Sequence, residues 1–332
     1  MAELQGATAF VTGVAGFIGY HVAAALLDEG VRVYGVDNLN AYYAPALKRA
    51  RIARLARDGF VFHEADVADH ARLAAAPGAD TADLVIHLAA QAGVRHSIDH
   101  PFDYASANLV GHLSALELAR RSPRKPLTIY ASSSAVYGAN VKIPFAEDDP
   151  VTRPVSLYSA TKRADELMSE AYARLYGLPL IGLRFFTVYG PWGRPDMAYW
   201  SFTENILAGR PIRVFNRGRL RRDFTYIDDI VDGVLRVAAG GIRGAGESSH
   251  RIYNIGHNRP VGLIDFIAEI EKAAGRAAIM EMAEMQPGDV VETAADITAI
   301  ARDYGFEPRT PLEAGIPRFV EWYRSWRAGQ AS

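Results

Sequence analysis

The sequence predicts an α/β fold: a doubly wound parallel sheet with a smaller mixed α/β lobe. Short apolar runs alternate with helix-length amphipathic stretches through the first half. The runs are nearly continuous in Val, Ile, Leu, Phe and Ala, as expected of parallel strands covered on both faces. A glycine-rich turn joins the first run to the first amphipathic stretch.

Ala7 to Thr12, Val31 to Val36, Phe60 to Glu64, Leu84 to Leu88, Leu127 to Ala131 and Pro179 to Leu183 read as the strands, with helices between them. Gly190-Pro191-Trp192-Gly193-Arg194-Pro195 breaks this rhythm. After it come a helix over Trp200 to Ala208, a short strand near Ile212 to Phe215 and an arginine-rich turn. Tyr226 to Val237 and Arg251 to Ile255 read as a helix and strand that rejoin the sheet. The predicted division is therefore 1–189 with about 226–256 as the larger domain, and 190–225 with 257–330 as the smaller lobe.

Hydrophobic residues make up 49% of the chain and charged residues 22%, with a formal charge of −2. This profile suits small neutral or anionic ligands and argues against nucleic-acid coating. With no cysteine, thiolate metal sites, disulfides and cysteine nucleophiles are excluded. The nine histidines contain no HExxH pair, so no metal site is expected, and His87 reads as a core histidine with a satisfied hydrogen bond. The first residues lack the features of a signal peptide, and no stretch reaches the roughly 18 apolar residues of a membrane span. A cytoplasmic protein is the expectation.

Gly13-Val14-Ala15-Gly16-Phe17-Ile18-Gly19 lies between the first strand and the helix Phe17 to Glu29. Glycines there let the backbone turn tightly and approach a pyrophosphate, which the first helical N–H groups then face. Asp37 ends the second strand 18 residues past Gly19, where a carboxylate accepts from ribose hydroxyls and repels a 2′-phosphate, favouring NAD over NADP. It is also placed as a turn-former before Asn38. Asp66, beside Val67 at the end of the third strand, can meet the adenine or cap the next helix. No Gly-Lys dipeptide is present, which excludes a P-loop.

Tyr158 and Lys162 stand four apart on a predicted helix running to Tyr176, placing a phenol and an ammonium on one face. A neighbouring cation favours a phenolate, the form that accepts a proton. In a chain with 16 tyrosines this spacing alone is weak. Its context is stronger: Ser132-Ser133-Ser134 follows the fifth strand, at the carboxyl end where open α/β sheets bind ligands.

The glycine trio, Leu88-Ala89-Ala90, Ser132-Ser133-Ser134-Ala135-Val136-Tyr137-Gly138, Tyr158 with Lys162, and Arg222 to Asp229 together resemble the extended short-chain dehydrogenase/reductase family over nearly the whole chain. Within it, Phe185 to Met197 and Met285 to Val290 resemble the UDP-glucuronate 4-epimerases. The resemblance implies a Rossmann-type cofactor domain, a UDP-sugar-binding lobe and reversible oxidation at sugar C4 with bound NAD. It implies that Tyr158 takes the 4-hydroxyl proton, Lys162 supports Tyr158 and the nicotinamide ribose, and Ser133 bonds the reacting oxygen. Cofactor contacts are implied for Gly13, Gly16, Phe17, Ile18, Gly19, Asp37, Asn38, Asp66, Val67, Leu88, Ala89, Ala90 and Asn108, besides Tyr158 and Lys162.

Substrate contacts are implied for Ser133, Ser134, Thr187, Arg194, Phe215, Arg222, Gln286 and Asp289, with Arg222 at the diphosphate and Phe215 flanking the uracil. A glucuronate oxidised at C4 is a β-keto acid prone to lose its carboxyl group. Ser134 and Thr187, neutral donors, are the candidates to restrain it. Ala135 departs from the resemblance, where another hydroxyl residue is usual, and Gln286 replaces a usual phosphate-binding arginine. The remaining arginines among Arg210, Arg213, Arg217, Arg219 and Arg221 read as a solvated turn. Decarboxylation of UDP-glucuronate and 4-epimerisation of another UDP-hexose are alternatives. More distant are a net alcohol dehydrogenase and a non-catalytic NAD sensor, for which Tyr158 and Lys162 have no use. A homodimer through the helices Phe102 to Arg120 and Tyr158 to Tyr176 is expected, with neither nucleic acid nor membrane as partner.

Overall fold

The computed structural model describes residues 2–243, 249–286 and 288–331. Seven parallel strands form the central sheet: β1 (Thr8–Thr12), β2 (Arg32–Asp37), β3 (Phe60–Glu64), β4 (Leu84–His87), β5 (Leu127–Ser133), β6 (Leu180–Phe185) and, after a small-lobe excursion, His250–Ile255. In between lie β7 (Thr187–Tyr189), β8 (Pro211–Val214) and β9 (Arg221–Tyr226), so the seventh sheet strand is β10. The spatial order is β10-β6-β5-β4-β1-β2-β3, and the order reverses between β1 and β4. The crevice at such a reversal is the ligand position of open α/β sheets.

The central strands β1, β4 and β6 are almost wholly buried, which accounts for their unbroken apolar sequence. β3 lies at the sheet edge and is half-exposed, so its covering is less complete than its sequence suggests. The helix Phe17–Asp28 follows β1, and the long helix Leu157–Tyr176 returns the chain towards the end of β5. The latter starts at a capping box, with Ser156 Oγ accepting from Ser159 N and Ser159 Oγ from Ser156 N, and stops at Gly177 in the left-handed region.

The expected helix Phe102 to Arg120 is three consecutive pieces: an α-turn Pro101–Tyr104, a π-helical stretch Ala105–Val110 and an α-helix Gly111–Arg121. The wider π turn carries the buried Asn108, whose carboxamide bonds both main-chain groups of Gln91 and the Thr161 hydroxyl.

Short strands build two smaller sheets. β8 pairs in parallel with β12 (Ile279–Met282), while β9 lies between β7 and β11 (Pro260–Gly262). Arg221 and Arg222 thus lie on β9, opposite Gly262 and Val261, and Arg221 is not on the solvated turn expected from sequence. A continuous apolar core runs from Phe17 and Tyr20 through Tyr189 and Tyr199 to Phe319. No helix among the described residues is long and apolar enough to cross a membrane.

Candidate active site

The turn after β1 is fitted to glycine. Gly13 has φ of +70°, and a Cβ there would lie 2.6 Å from Ala89 N; a Cβ on Gly19 would lie 2.1 Å from Gly13 O. The glycines therefore pack the β1 loop against the first helix and the segment after β4. No side chain caps the helix at Gly16, so its first N–H groups face the crevice without a side-chain acceptor. Such a cradle fits a dinucleotide pyrophosphate. Phe17 is buried against Tyr199, while Ile18, Leu88, Ala89 and Ala90 are half-buried around the loop.

Asp37, at the end of β2, is buried and already bonded: its Oδ2 accepts from Ala15 N at 3.1 Å and its Oδ1 from Leu39 N at 2.8 Å. Burial pushes its pKa up, against the opposing pull of Lys48 and these N–H groups. The turn-forming geometry is thus present together with the position beside the glycine loop. Asn38 donates to Asp66 Oδ2, and Asp66 Oδ1 accepts from Ala68 N. The cap of the helix His70–Ala74 is Asp69 and not Asp66. Val67 is buried against Gly111.

On the other side of the reversal, Ser133 ends β5 directly opposite Phe185 of β6, and Thr187 follows two residues on, opposite Phe224 of β9. Register thus brings the serine cluster and Thr187 to one end of the sheet. Ser133 Oγ accepts from Ala135 N at 3.2 Å, and Ser134 opens a short 3₁₀ turn. Behind them Ser132 donates to Glu166, which also holds Arg184 in a buried bidentate pair.

Lys162 is buried; its Nζ donates to Ala131 O at 3.1 Å and to Asp165 Oδ2 at 2.9 Å. Those bonds root the helix at the base of the serine cluster and leave one of three ammonium donors for a ligand. Tyr158 is half-exposed, its ring edge-on to Tyr104 at 6.1 Å.

A third group gathers residues from β9 and from the segments after β4, β8 and β12. The guanidinium groups of Arg95 and Arg213 lie 5.0 and 5.3 Å from the ring centre of Phe215. Asp289 stands between Arg95 at 3.7 Å and Arg222 at 3.8 Å. Burial depresses the pKa of Arg222, with Asp289 opposing. Gln286 Oε1 is buried without a hydrogen-bond partner; Pro287 of the same segment lies outside the described residues. Arg194 is held in a bidentate pair with Asp196, which also accepts from Tyr42.

His87 is a core histidine as expected, but only half-satisfied: Nδ1 meets Thr12 Oγ1 at 2.8 Å while Nε2 is buried without a partner. Burial, then Lys162, pushes its pKa down to about 3. Sequence reading missed Asp165, Arg95 and Arg51. The fully buried Arg51 donates to Ala15 O, Trp192 O, Gly193 O and the Tyr43 hydroxyl, joining the glycine loop to the turn after β7. Nothing in its amphipathic helix distinguished it from a surface arginine.

Comparison with known proteins agrees with this architecture. The model of the NAD dependent epimerase/dehydratase family matches residues 9–256. A probable UDP-glucuronate 4-epimerase of Rhizobium meliloti is 47% identical over 327 residues, covering 94% of this chain and 96% of its own. UDP-glucuronate 4-epimerase 4 of Arabidopsis thaliana is 44% identical over 336 residues, covering 98% and 77%. The crystal structure of a Bacillus cereus UDP-glucuronic acid 4-epimerase with UDP-glucuronic acid and NAD superposes with a TM-score of 0.87 at 30% identity, covering 96% of this chain and 99% of that one. The chain belongs to the NAD dependent epimerase/dehydratase family.

Proposed function

We propose that the chain catalyses the NAD-dependent C4 epimerisation of UDP-glucuronic acid to UDP-galacturonic acid. The observation that carries this reading is the convergence at one sheet end of the glycine cradle, the Lys162-anchored Tyr158 helix, the serine cluster and Thr187. The relatives named UDP-glucuronate 4-epimerase support the choice of sugar.

Gly13, Gly16 and Gly19, the first turn from Phe17 and Ile18, and Asp37 hold NAD, with Asn38, Asp66, Val67, Leu88, Ala89 and Ala90 around it. Asn108 acts on that site through Gln91 and Thr161. NAD supplies hydride acceptance and return at the sugar C4. Tyr158 Oη takes the proton of the 4-hydroxyl and gives it back to the C4 oxygen once the keto sugar has turned its other face to the cofactor. Lys162, fixed by Asp165 and Ala131 O, directs its remaining N–H towards the ribose and the phenolate. Ser133 Oγ holds the reacting oxygen, and Ser134 with Thr187 holds the carboxylate out of line with the ketone. Arg222 and Arg194 receive the diphosphate, and Phe215 stacks on the uracil beside Gln286 and Asp289.

The division of labour follows the chain: 1–189 with about 226–256 for NAD, and 190–225 with 257–330 for the UDP-sugar. Two copies associate through the helices Pro101–Tyr104, Gly111–Arg121 and Leu157–Tyr176, which expose Phe102, Leu167 and Leu175 at 85%, 55% and 71%. The cytoplasm, where nucleotide sugars and NAD are supplied, is the compartment proposed.

An NMR time course with UDP-glucuronic acid tests the reading. UDP-galacturonic acid is expected, without net NADH and without turnover in Tyr158→Phe. UDP-xylose, stoichiometric NADH or no product overturns it.

A further inference from the structure

A cluster outside this site has the composition of a metal centre. His96, His100 and Asp103 occupy one exposed corner of the segment leading from β4 into the π-helical stretch. Their candidate ligand atoms all lie within 4.8 Å of one another. The two imidazoles stack at 4.1 Å with 23° between planes, and His96 Nε2 stands 3.6 Å from Asp103 Oδ2. The ring of Tyr42 packs on His96 at 4.7 Å and limits its swing.

We propose that His96, His100 and Asp103 bind a divalent first-row transition metal of the Zn²⁺ class. Two imidazole nitrogens and one carboxylate oxygen are the donor set such borderline ions favour over Mg²⁺ or Ca²⁺. Around a tetrahedral ion with bonds near 2.1 Å, ligand atoms stand about 3.4 Å apart. The His96–Asp103 pair is already close to that spacing, and the exposed His100 ring completes the set by rotating out of its stack on His96 to turn a nitrogen to the ion. Exposure leaves the fourth position to water. The search for HExxH passes this set over because its spacing is His-x3-His-x2-Asp, and because His100 leaves helical geometry between two short helices.

Placement gives the site a consequence. Arg95, adjacent to His96, covers the ring of Phe215 and approaches Asp289, while Tyr42 links His96 to Asp196 and Arg194. A metal here pins the segment that brings Arg95 to Phe215 and Asp289.

The test is titration of the intact, chelator-stripped protein with Zn²⁺ alone, read by calorimetry and by thermal unfolding. Wild type is expected to take up one Zn²⁺ at this site and to melt at a higher temperature when loaded. His100→Ala and Asp103→Asn should each weaken uptake at least tenfold and abolish the thermal shift, while their metal-free melting and NAD binding match wild type. Equal Zn²⁺ affinity in wild type and a His96→Ala/His100→Ala double variant overturns the proposal, as does uptake lost only on changing histidines elsewhere. If a single variant misfolds, cobalt substitution of wild type decides: a tetrahedral visible spectrum with nitrogen and oxygen ligation supports the site, and a hexa-aquo spectrum refutes it.

Discussion

Lys162 and Asp165 form a buried ion pair one helical turn long, with Nζ 2.9 Å from Oδ2 and side-chain exposures of 2% and 0%. Burial raises the Asp165 pKa to about 6, with Lys162 pulling it down. Asp165 is therefore a positioning residue: it fixes the ammonium that the proposed chemistry uses. Asp165→Ala leaves that cation without its counter-charge, at a cost of about 3–5 kcal/mol in urea unfolding. Asp165→Asn keeps an oxygen acceptor and should cost less, while lowering kcat more than KM and displacing the acid limb of the kcat–pH profile. An unchanged profile would reduce the pair to a purely structural role.

Gly19→Ala pushes a methyl group to 2.1 Å from the Gly13 carbonyl, where backbone must move. Overpacking of this kind costs about 1–3 kcal/mol. The expected result is a cradle displaced from Ala89 and NAD affinity reduced at least tenfold, measured by fluorescence titration. Retention of wild-type affinity would mean that the pyrophosphate is held elsewhere.

Thr187→Ala tests restraint of the carboxylate separately from hydride chemistry. Its expected signature is a pentose by-product alongside slowed epimerisation in the same NMR experiment. Slowing without decarboxylation would assign Thr187 to the fold alone.

Acid stability should follow the buried histidines. Burial pushes His21 down to about 4 and His87 down to about 3, and lowers His112 and His250 as well. Depressed histidine pKa values mean that the unfolded chain binds more protons once pH falls below the ordinary value of about 6.5. Stability present above that value is then lost as pH drops towards 4 and 3, by about 1.4 kcal/mol per pH unit for each fully affected histidine. Asp165 acts in the opposite sense, since its raised pKa favours the folded state as pH falls through about 6. Urea unfolding between pH 7.5 and 5 should steepen accordingly, and His87→Gln should remove one histidine's share. An equal slope in wild type and variant would exclude His87 as a source.

The strands β1, β2 and β4 to β6 were legible because parallel strands buried on both faces need unbroken apolar sequence. β7, β9, β11 and β12 were not: three or four residues long, or carrying Arg221 and Arg222, they are strands only through partners far along the chain. The same limit applies to the site. Tyr158, Lys162 and the glycines announce themselves by spacing. Asp165 and Glu166 carry no such spacing, yet with Lys162 they are buried, because Ala131 O, Ser132 and Arg184 meet this helix from the sheet. Arg95 and Arg51 were illegible for a related reason: their partners, Phe215 and the carbonyls of Ala15, Trp192 and Gly193, belong to distant segments.

Three of the four groups that Arg51 grips are main-chain carbonyls, and main chain carries no side-chain identity. The junction between the glycine loop and the turn at Trp192 and Gly193 can therefore tolerate wide sequence drift so long as its backbone path is kept. Chimeras that exchange the 190–225 segment among relatives should retain their assembly if loop length is preserved, and lose it on insertion of a single residue between Pro191 and Arg194.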